Sequence, residues 1–337
     1  MTAPGHSATA GWRSRGQALV RLGAKQLLVG AGIGVARLAG FLTGAVSART
    51  LGPRGFADYT VAFTILTSLM QVTSFADTWM VSRWDNVGCR DGVRSAVWRI
   101  KSISALAFGG VAVIIMLIAP TSLVRLGTNG SLLLLAVLGA GAGAMTTAAA
   151  SLYQASGDFR RYAVIVAAGP SLSCLLTAAL AFRREPRPAV YVAAILVSYL
   201  PTAVLAYRRL QSGSQTAAAS RLMREALHFG GWVTVGSIAY VAFQRLDVFL
   251  LAVLRPGVEV GIYGAAVRLS MVGALFGNTL TAVLMPPGSQ ARTWQDPALK
   301  RAYLSESALG ILLMAAALVL AAAAAPWLIG LAFGKAY

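Results

Sequence analysis

Nine apolar stretches of helical length alternate with short polar segments along the chain, at 26–48, 59–82, 103–119, 132–152, 162–182, 189–207, 229–254, 261–285 and 310–333. About 20 apolar residues in a helix cross the ~30 Å hydrocarbon core of a bilayer. A helix also satisfies its own backbone groups, which lipid cannot do. Each stretch therefore reads as a transmembrane helix. Pro170 and Pro326 fall inside two of them, which membrane helices tolerate when neighbours satisfy the freed carbonyls. The first stretch is not a cleavable signal. The apolar region of a signal peptide runs about 7–15 residues, whereas 26–48 is longer and carries Arg37. The fold class expected is all-α integral membrane.

The polar segments set the organisation. Residues 1–25 form an N-terminal tail, and 26–207 hold a six-helix bundle. Residues 208–227 are a linker with a short amphipathic helix whose apolar side is Leu222, Met223, Ala226 and Leu227. Residues 228–337 begin a second bundle with three helices. After the linker the pattern restarts. A short turn closed by Tyr59 follows span one, and a similar turn closed by Tyr263 follows span seven. Six spans separate the copies, so both run the same way, as in the parallel repeats of some secondary transporters.

Composition removes the soluble alternative. The chain is 57% hydrophobic and 12% charged, against about 25% charged in soluble domains. A net charge of +18 would suit a nucleic-acid binder, but the basic residues sit between apolar spans, so the partner they indicate is a membrane. Eighteen Lys and Arg fall on the side of the N-terminus, eight on the other side and three within spans. That bias gives a multi-pass protein of the inner (cytoplasmic) membrane with its N-terminus and linker in the cytoplasm. Arg183, Arg184 and Arg187, on the outer side, go against the rule. Trp79, Trp84, Trp98, Trp232 and Trp327 lie near span ends, where interface anchors are found.

The charges inside spans are the candidate chemistry. Arg37 sits mid-span, about 17 Å from either end at 1.5 Å per residue. It shares a face with Gly30, Gly34, Phe41 and Gly44. A charge at that depth costs a few kcal/mol and is usually functional or paired. Either Arg37 faces an aqueous cavity and binds phosphate, or it forms a buried pair with Asp77 or a backbone carbonyl. Span seven carries Ser237, Tyr240, Gln244 and Asp247 on one stripe, with Arg245 beside it. Asp247 and Arg268 lie at matching depth across a helical hairpin and are expected to pair, with ion coupling at Asp247 as the alternative. Arg245 has no partner nearby in sequence and reads as a second substrate cation, with Gln244 beside it. Asp77 is expected to meet another helix. Gly139, Gly141 and Gly143 mark a packing face. The chain has two histidines and two cysteines, from which neither a metal cluster nor a catalytic triad can be assembled. No enzyme activity and no cofactor are indicated.

Several segments together resemble the polysaccharide-export flippases, the Wzx-type O-antigen and exopolysaccharide transporters. These share a superfamily with multidrug/toxin extruders and lipid II flippases. The resemblance lies in Ala48-Arg49-Thr50-Leu51-Gly52-Pro53 through Phe56 and Tyr59, in Arg83, and in Arg245-Leu246-Asp247. It continues through Val260-Gly261-Ile262-Tyr263-Gly264-Ala265-Ala266, Pro286 with Ser289, and Phe333-Gly334-Lys335-Ala336-Tyr337. Ala57 and Asp58 depart from the usual Gly and apolar residue. The resemblance implies twelve or more helices, so a chain with nine is expected to be truncated and its second bundle incomplete. It further implies translocation of a lipid-linked oligosaccharide, on a polyprenyl pyrophosphate carrier, between leaflets for cell-surface polysaccharide synthesis. The polysaccharide polymerase machinery is then a candidate partner. A multidrug extruder and a non-transporting scaffold of a polysaccharide assembly complex are the alternatives.

Overall fold

The computed structural model describes residues 7–84, 90–118, 130–211, 217–255, 257–270, 296–334 and 336–337, with side chains from Leu28 onward. The helices are α1 (Ser7–Val72), α2 (Phe75–Arg83), α3 (Arg90–Ile118), α4 (Gly130–Ala155), α5 (Phe159–Phe182), α6 (Pro188–Gln211), α7 (Ala217–Leu254), α8 (257–270) and α9 (Pro297–Phe333). Seven candidate spans lie among the described residues, the first being Leu28–Arg83. The chain is an all-α, multi-pass membrane protein. Expectations that fall on 119–129 and 271–295, including the inner half of span eight with Pro286 and Ser289, lie outside the described residues. The tail assigned to 1–25 is helical from Ser7.

Span one turns back at a glycine. Gly52 has φ 66° and ψ 173°, a region open essentially to glycine alone. Pro53 follows it, which pushes the preceding residue out of the helical region and starts the next helix with its ring in place. The two arms of α1 then lie side by side. Arg268 touches Gly40 on the first arm and Tyr59 and Phe63 on the second. In one straight helix, Gly40 and Phe63 would stand about 35 Å apart.

Two buried layers hold the bundle. At one end, Phe75, Trp79, Met80, Trp84, Val97, Leu152, Tyr153 and Leu210 form one cluster. Trp79 and Trp84 are thus core residues, not interface anchors. Trp84 also takes Arg90 and Arg94 over its ring, at 5.6 Å and 5.4 Å. Trp232 and Trp327 are exposed. At the opposite end, Phe56, Tyr59, Leu66, Tyr191 and Phe333 form the second cluster. Tyr59 is likewise buried, stacked on Phe56 and Phe63. The glycines of α4 let it close on span two. A Cβ on Gly139 would stand 2.7 Å from Leu66 Cδ1, and one on Gly143 would collide with Met70 Sδ.

Helices α7 and α8 and the end of α9 pack on the earlier helices at both ends. The two similar turns meet at the Phe56 end, where a Cβ on Gly261 would collide with the Pro53 carbonyl oxygen. Phe333 and Tyr337 pack over the same end. Arg49 donates to the Leu331 and Ala332 carbonyls, and the Tyr337 hydroxyl donates to Ala48 O at 3.1 Å. Phe41 and Phe56 meet Phe333 and Tyr337 edge-on. At the other end the amphipathic segment is no separate surface helix but the first turns of α7. Leu222 and Ala226 are buried in the cluster around Trp79, and Arg83 pairs with Glu225 at 2.9 Å. In the turn before α6, Arg187 donates to the Glu185 carboxylate, whose acidity this bond strengthens. One of the three arginines that oppose the charge rule is thereby neutralised locally.

Candidate functional site

The three arginines within spans come from three helices and share one neighbourhood. Arg245 of α7 feels the charges of Arg268 on α8, of Arg37 on α1 and of Asp247 on its own helix. Small residues on α1 create the room. A Cβ on Gly44 would stand 2.9 Å from Arg268 Cδ, so glycine there admits the arginine stem. Arg268 Nη1 donates to the Gly40 carbonyl at 3.3 Å. Its guanidinium lies 4.1 Å from the Phe63 ring centroid and 5.4 Å from that of Tyr59. Desolvated cation–π contacts of this kind contribute about 2 kcal/mol. They do not satisfy the guanidinium. Arg268 is buried, and its Nη2 and the Tyr59 hydroxyl have no hydrogen-bond partner. A buried donor left unmet costs about 1–3 kcal/mol, and more when charged, unless a ligand supplies the acceptor.

The expected Asp247–Arg268 pair is not formed. Asp247 instead accepts from the Tyr263 hydroxyl and from the Val248 amide. The sequence argument matched depth along the hairpin but not direction around it. Tyr263 and Arg268 are five residues apart on α8, about 140° around the helix. Tyr263 faces α7, and Arg268 faces α1.

Arg37 is not buried in a pair with Asp77 either. Its side chain is exposed, and no atom lies within 4 Å of a Cβ placed on Gly30 or Gly34, so the glycine-bearing face of α1 is open. Gln244 donates to the Tyr240 hydroxyl one turn away, and both are exposed on α7. Asp77 does meet another helix, as expected, but its partner is Lys101 at 2.8 Å. That pair lies inside the N-terminal bundle.

The structure therefore brings Arg37, Arg245, Arg268 and Asp247 together, with Gln244 on the same helix, and sets Asp77 apart. Reading the sequence alone missed Lys101, placed in an inner loop, and the rings of Tyr59, Phe63 and Tyr263. Gly40 and Gly44, one turn apart, were the available signal for a close approach to α1. Three guanidiniums against one carboxylate, on an open face, can accept a polyanion. Planar guanidiniums grip phosphate oxygens two at a time.

A family model described as polysaccharide biosynthesis protein matches residues 22–291. No curated protein matches the chain. Among solved structures, the chain is similar to a MATE multidrug transporter, DinF-BH, solved as a complex. The identity is 15% and the TM-score 0.62, over 78% of this chain and 63% of that one. It is also similar to a multidrug resistance MATE family transporter of the MOP superfamily in its inward-facing conformation. Here the identity is 14% and the TM-score 0.65, over 88% and 72% of the two chains. An outward-facing structure with the same description gives 16% and 0.53, over 86% and 70%. The chain thus spans less than two thirds of the length of the first of these. At such identities the likeness speaks for the fold alone.

Proposed function

Because the chain belongs to the polysaccharide biosynthesis protein family, whose fold it shares with transporters of the MOP superfamily, we propose that it moves a lipid-linked oligosaccharide across the cytoplasmic membrane. The carrier is a polyprenyl pyrophosphate, and the protein performs no chemistry on it. The observation that carries this reading is the cluster of Arg37, Arg245 and Arg268. A pyrophosphate offers several anionic oxygens to it while the lipid tail stays in the bilayer. Arg268 Nη2 and the Tyr59 hydroxyl supply donors that no group among the described residues uses. The bundles then rock about the site to expose it to either side. With the N-terminus in the cytoplasm, the open Gly30–Gly34 side of α1 lies toward the leaflet where the substrate is made. The polymerase that extends the sugar chain is the natural partner on the outer side.

A multidrug extruder of the same fold is the second reading, favoured by the descriptions of the structural neighbours. Charge argues against it, because organic cations would meet three arginines and one carboxylate. The test compares membrane abundance with polysaccharide export. Arg37→Ala should reach the membrane at near-normal levels and lose export by about 10–100-fold, the worth of a charge-assisted bond pair. Arg37→Lys keeps the charge without the planar fork and should fall between. Normal export by Arg37→Ala would sink the reading, and dye efflux that rises in the same variant would move it to the extruder.

A further inference from the structure

Span two is broken, and the break is filled from a neighbouring helix. In an unbroken helix the Thr73 carbonyl would accept from the Asp77 amide. Here Ser74 N donates to Gln71 O, and Asp77 N donates to Ser74 O at 3.1 Å. The Thr73 carbonyl is left over. Lys101 of α3 takes it, with Nζ at 2.9 Å. The same ammonium meets Asp77 Oδ2 at 2.8 Å, Thr73 Oγ1 at 3.4 Å and Thr147 Oγ1 of α4 at 3.4 Å.

Both threonine hydroxyls spend their protons elsewhere. Thr73 Oγ1 donates to Met70 O and Thr147 Oγ1 to Ala144 O, each at 2.9 Å. They can only present lone pairs to Lys101. The Asp77 carboxylate is buried, and besides Lys101 the Thr147 hydroxyl is within its hydrogen-bonding reach. The ammonium thus sits among four oxygens from the break at Thr73, from α2 and from α4, none of which offers it a proton, with a fifth oxygen beside them. An ammonium has three donors, one fewer than the oxygens around it. The Lys101 side chain is fully enclosed. An ordinary buried ion pair needs one carboxylate. This arrangement has the all-oxygen, single-negative-charge character of a site for a monovalent cation.

We propose that this cage is a monovalent-cation site whose cation the chain itself supplies through Lys101. The tethered ammonium holds the break in span two closed without a dissolved ion. An ion that drives the transport cycle then acts elsewhere, and Asp247, bonded to Tyr263 and not to a basic side chain, is the intramembrane carboxylate left for it. The inference rests on the N-terminal bundle alone and is independent of the substrate proposed above.

The experiment uses the whole chain in detergent. Lys101→Ala removes the tether and leaves the oxygens. Its thermal unfolding is followed in choline chloride, which is too large for the cage, and then in KCl, NH4Cl and n-propylammonium chloride at equal ionic strength. Propylammonium restores the atoms that alanine lacks. A saturable rise in the unfolding midpoint of about 2–4 °C is expected with one or more of these small cations. Neither wild type nor Lys101→Ala/Asp77→Asn should respond. Equal midpoints in all four salts would overturn the proposal, as would an equal response in wild type. Failure of Lys101→Ala to accumulate in the membrane would overturn it as well, since intracellular K+ would fill a preformed site.

Discussion

The molecule holds two groups of charge within its spans, one enclosed and one largely open, and they are built on opposite plans. Around Lys101 every donor of the ammonium has an oxygen, and the carboxylate that balances it lies 2.8 Å away. The cage is enclosed by α2, α3 and α4 within one bundle. Around Arg37, Arg245 and Arg268 the positive charges outnumber the single carboxylate, which is itself engaged by Tyr263. That cluster lies where α1 meets α7 and α8, so relative motion of the bundles would rearrange it. A satisfied ion pair inside a rigid bundle stabilises one conformation. An unsatisfied cationic cluster between bundles costs stability until an anion arrives, and charges inside a membrane that lack full partners are the ones that mark function.

The comparison breaks most directly at Asp77. Asp77→Leu strands the Lys101 ammonium among neutral oxygens. Removing one partner of a buried pair costs about 3–5 kcal/mol, so folded protein in the membrane should drop severely. Expressing wild type and variant side by side and measuring detergent-soluble monomer checks this. Normal yield for Asp77→Leu would mean that the pair contributes little.

A smaller effect is expected at the other site. Asp247 holds no arginine, so Asp247→Asn leaves no cation newly unpaired. It keeps an acceptor for the Tyr263 hydroxyl, and membrane abundance should change by less than about 1 kcal/mol in folding terms. Export should nonetheless respond if Asp247 couples an ion. A loss of folded protein as large as that of Asp77→Leu would erase the distinction between the two regions.

What could be read from the sequence, and what could not, follows the same division. The spans were legible because the bilayer fixes their length and excludes unpaired backbone. Arg37, Arg245 and Arg268 stood out because charge in an apolar run is costly. Their convergence did not, since it depends on rotation around α8 and on Gly40 and Gly44 lying opposite. Lys101 escaped notice because it closes a run that opens with Arg90, Arg94 and Arg99, and so looks like one more loop charge. Only the break at Thr73, with its freed carbonyl, gives it a reason to be buried. The turn at Gly52-Pro53 was legible as a turn, whereas its contact with Gly261 needed the second bundle in place.

The gentlest test perturbs neither site but decides which way both of them face. The cluster around Trp79, with the Lys101 cage beside it, and the open Gly30–Gly34 side of α1 lie toward one surface. The Gly52 and Gly261 turns lie toward the other. The charge bias assigns the first surface to the cytoplasm. In a background lacking Cys89 and Cys174, Ser156→Cys samples the turn before α5 and Pro186→Cys the turn before α6. Both positions are exposed, and α5 separates them across the membrane. A membrane-impermeant thiol reagent applied to intact cells should label Pro186→Cys and reach Ser156→Cys only after lysis. Neither substitution removes a buried contact, so abundance and export should match the parent. The reverse labelling pattern would turn the molecule over. The open face of α1 would then meet the outer surface, and the arginine cluster would be placed to receive an anion from outside the cell.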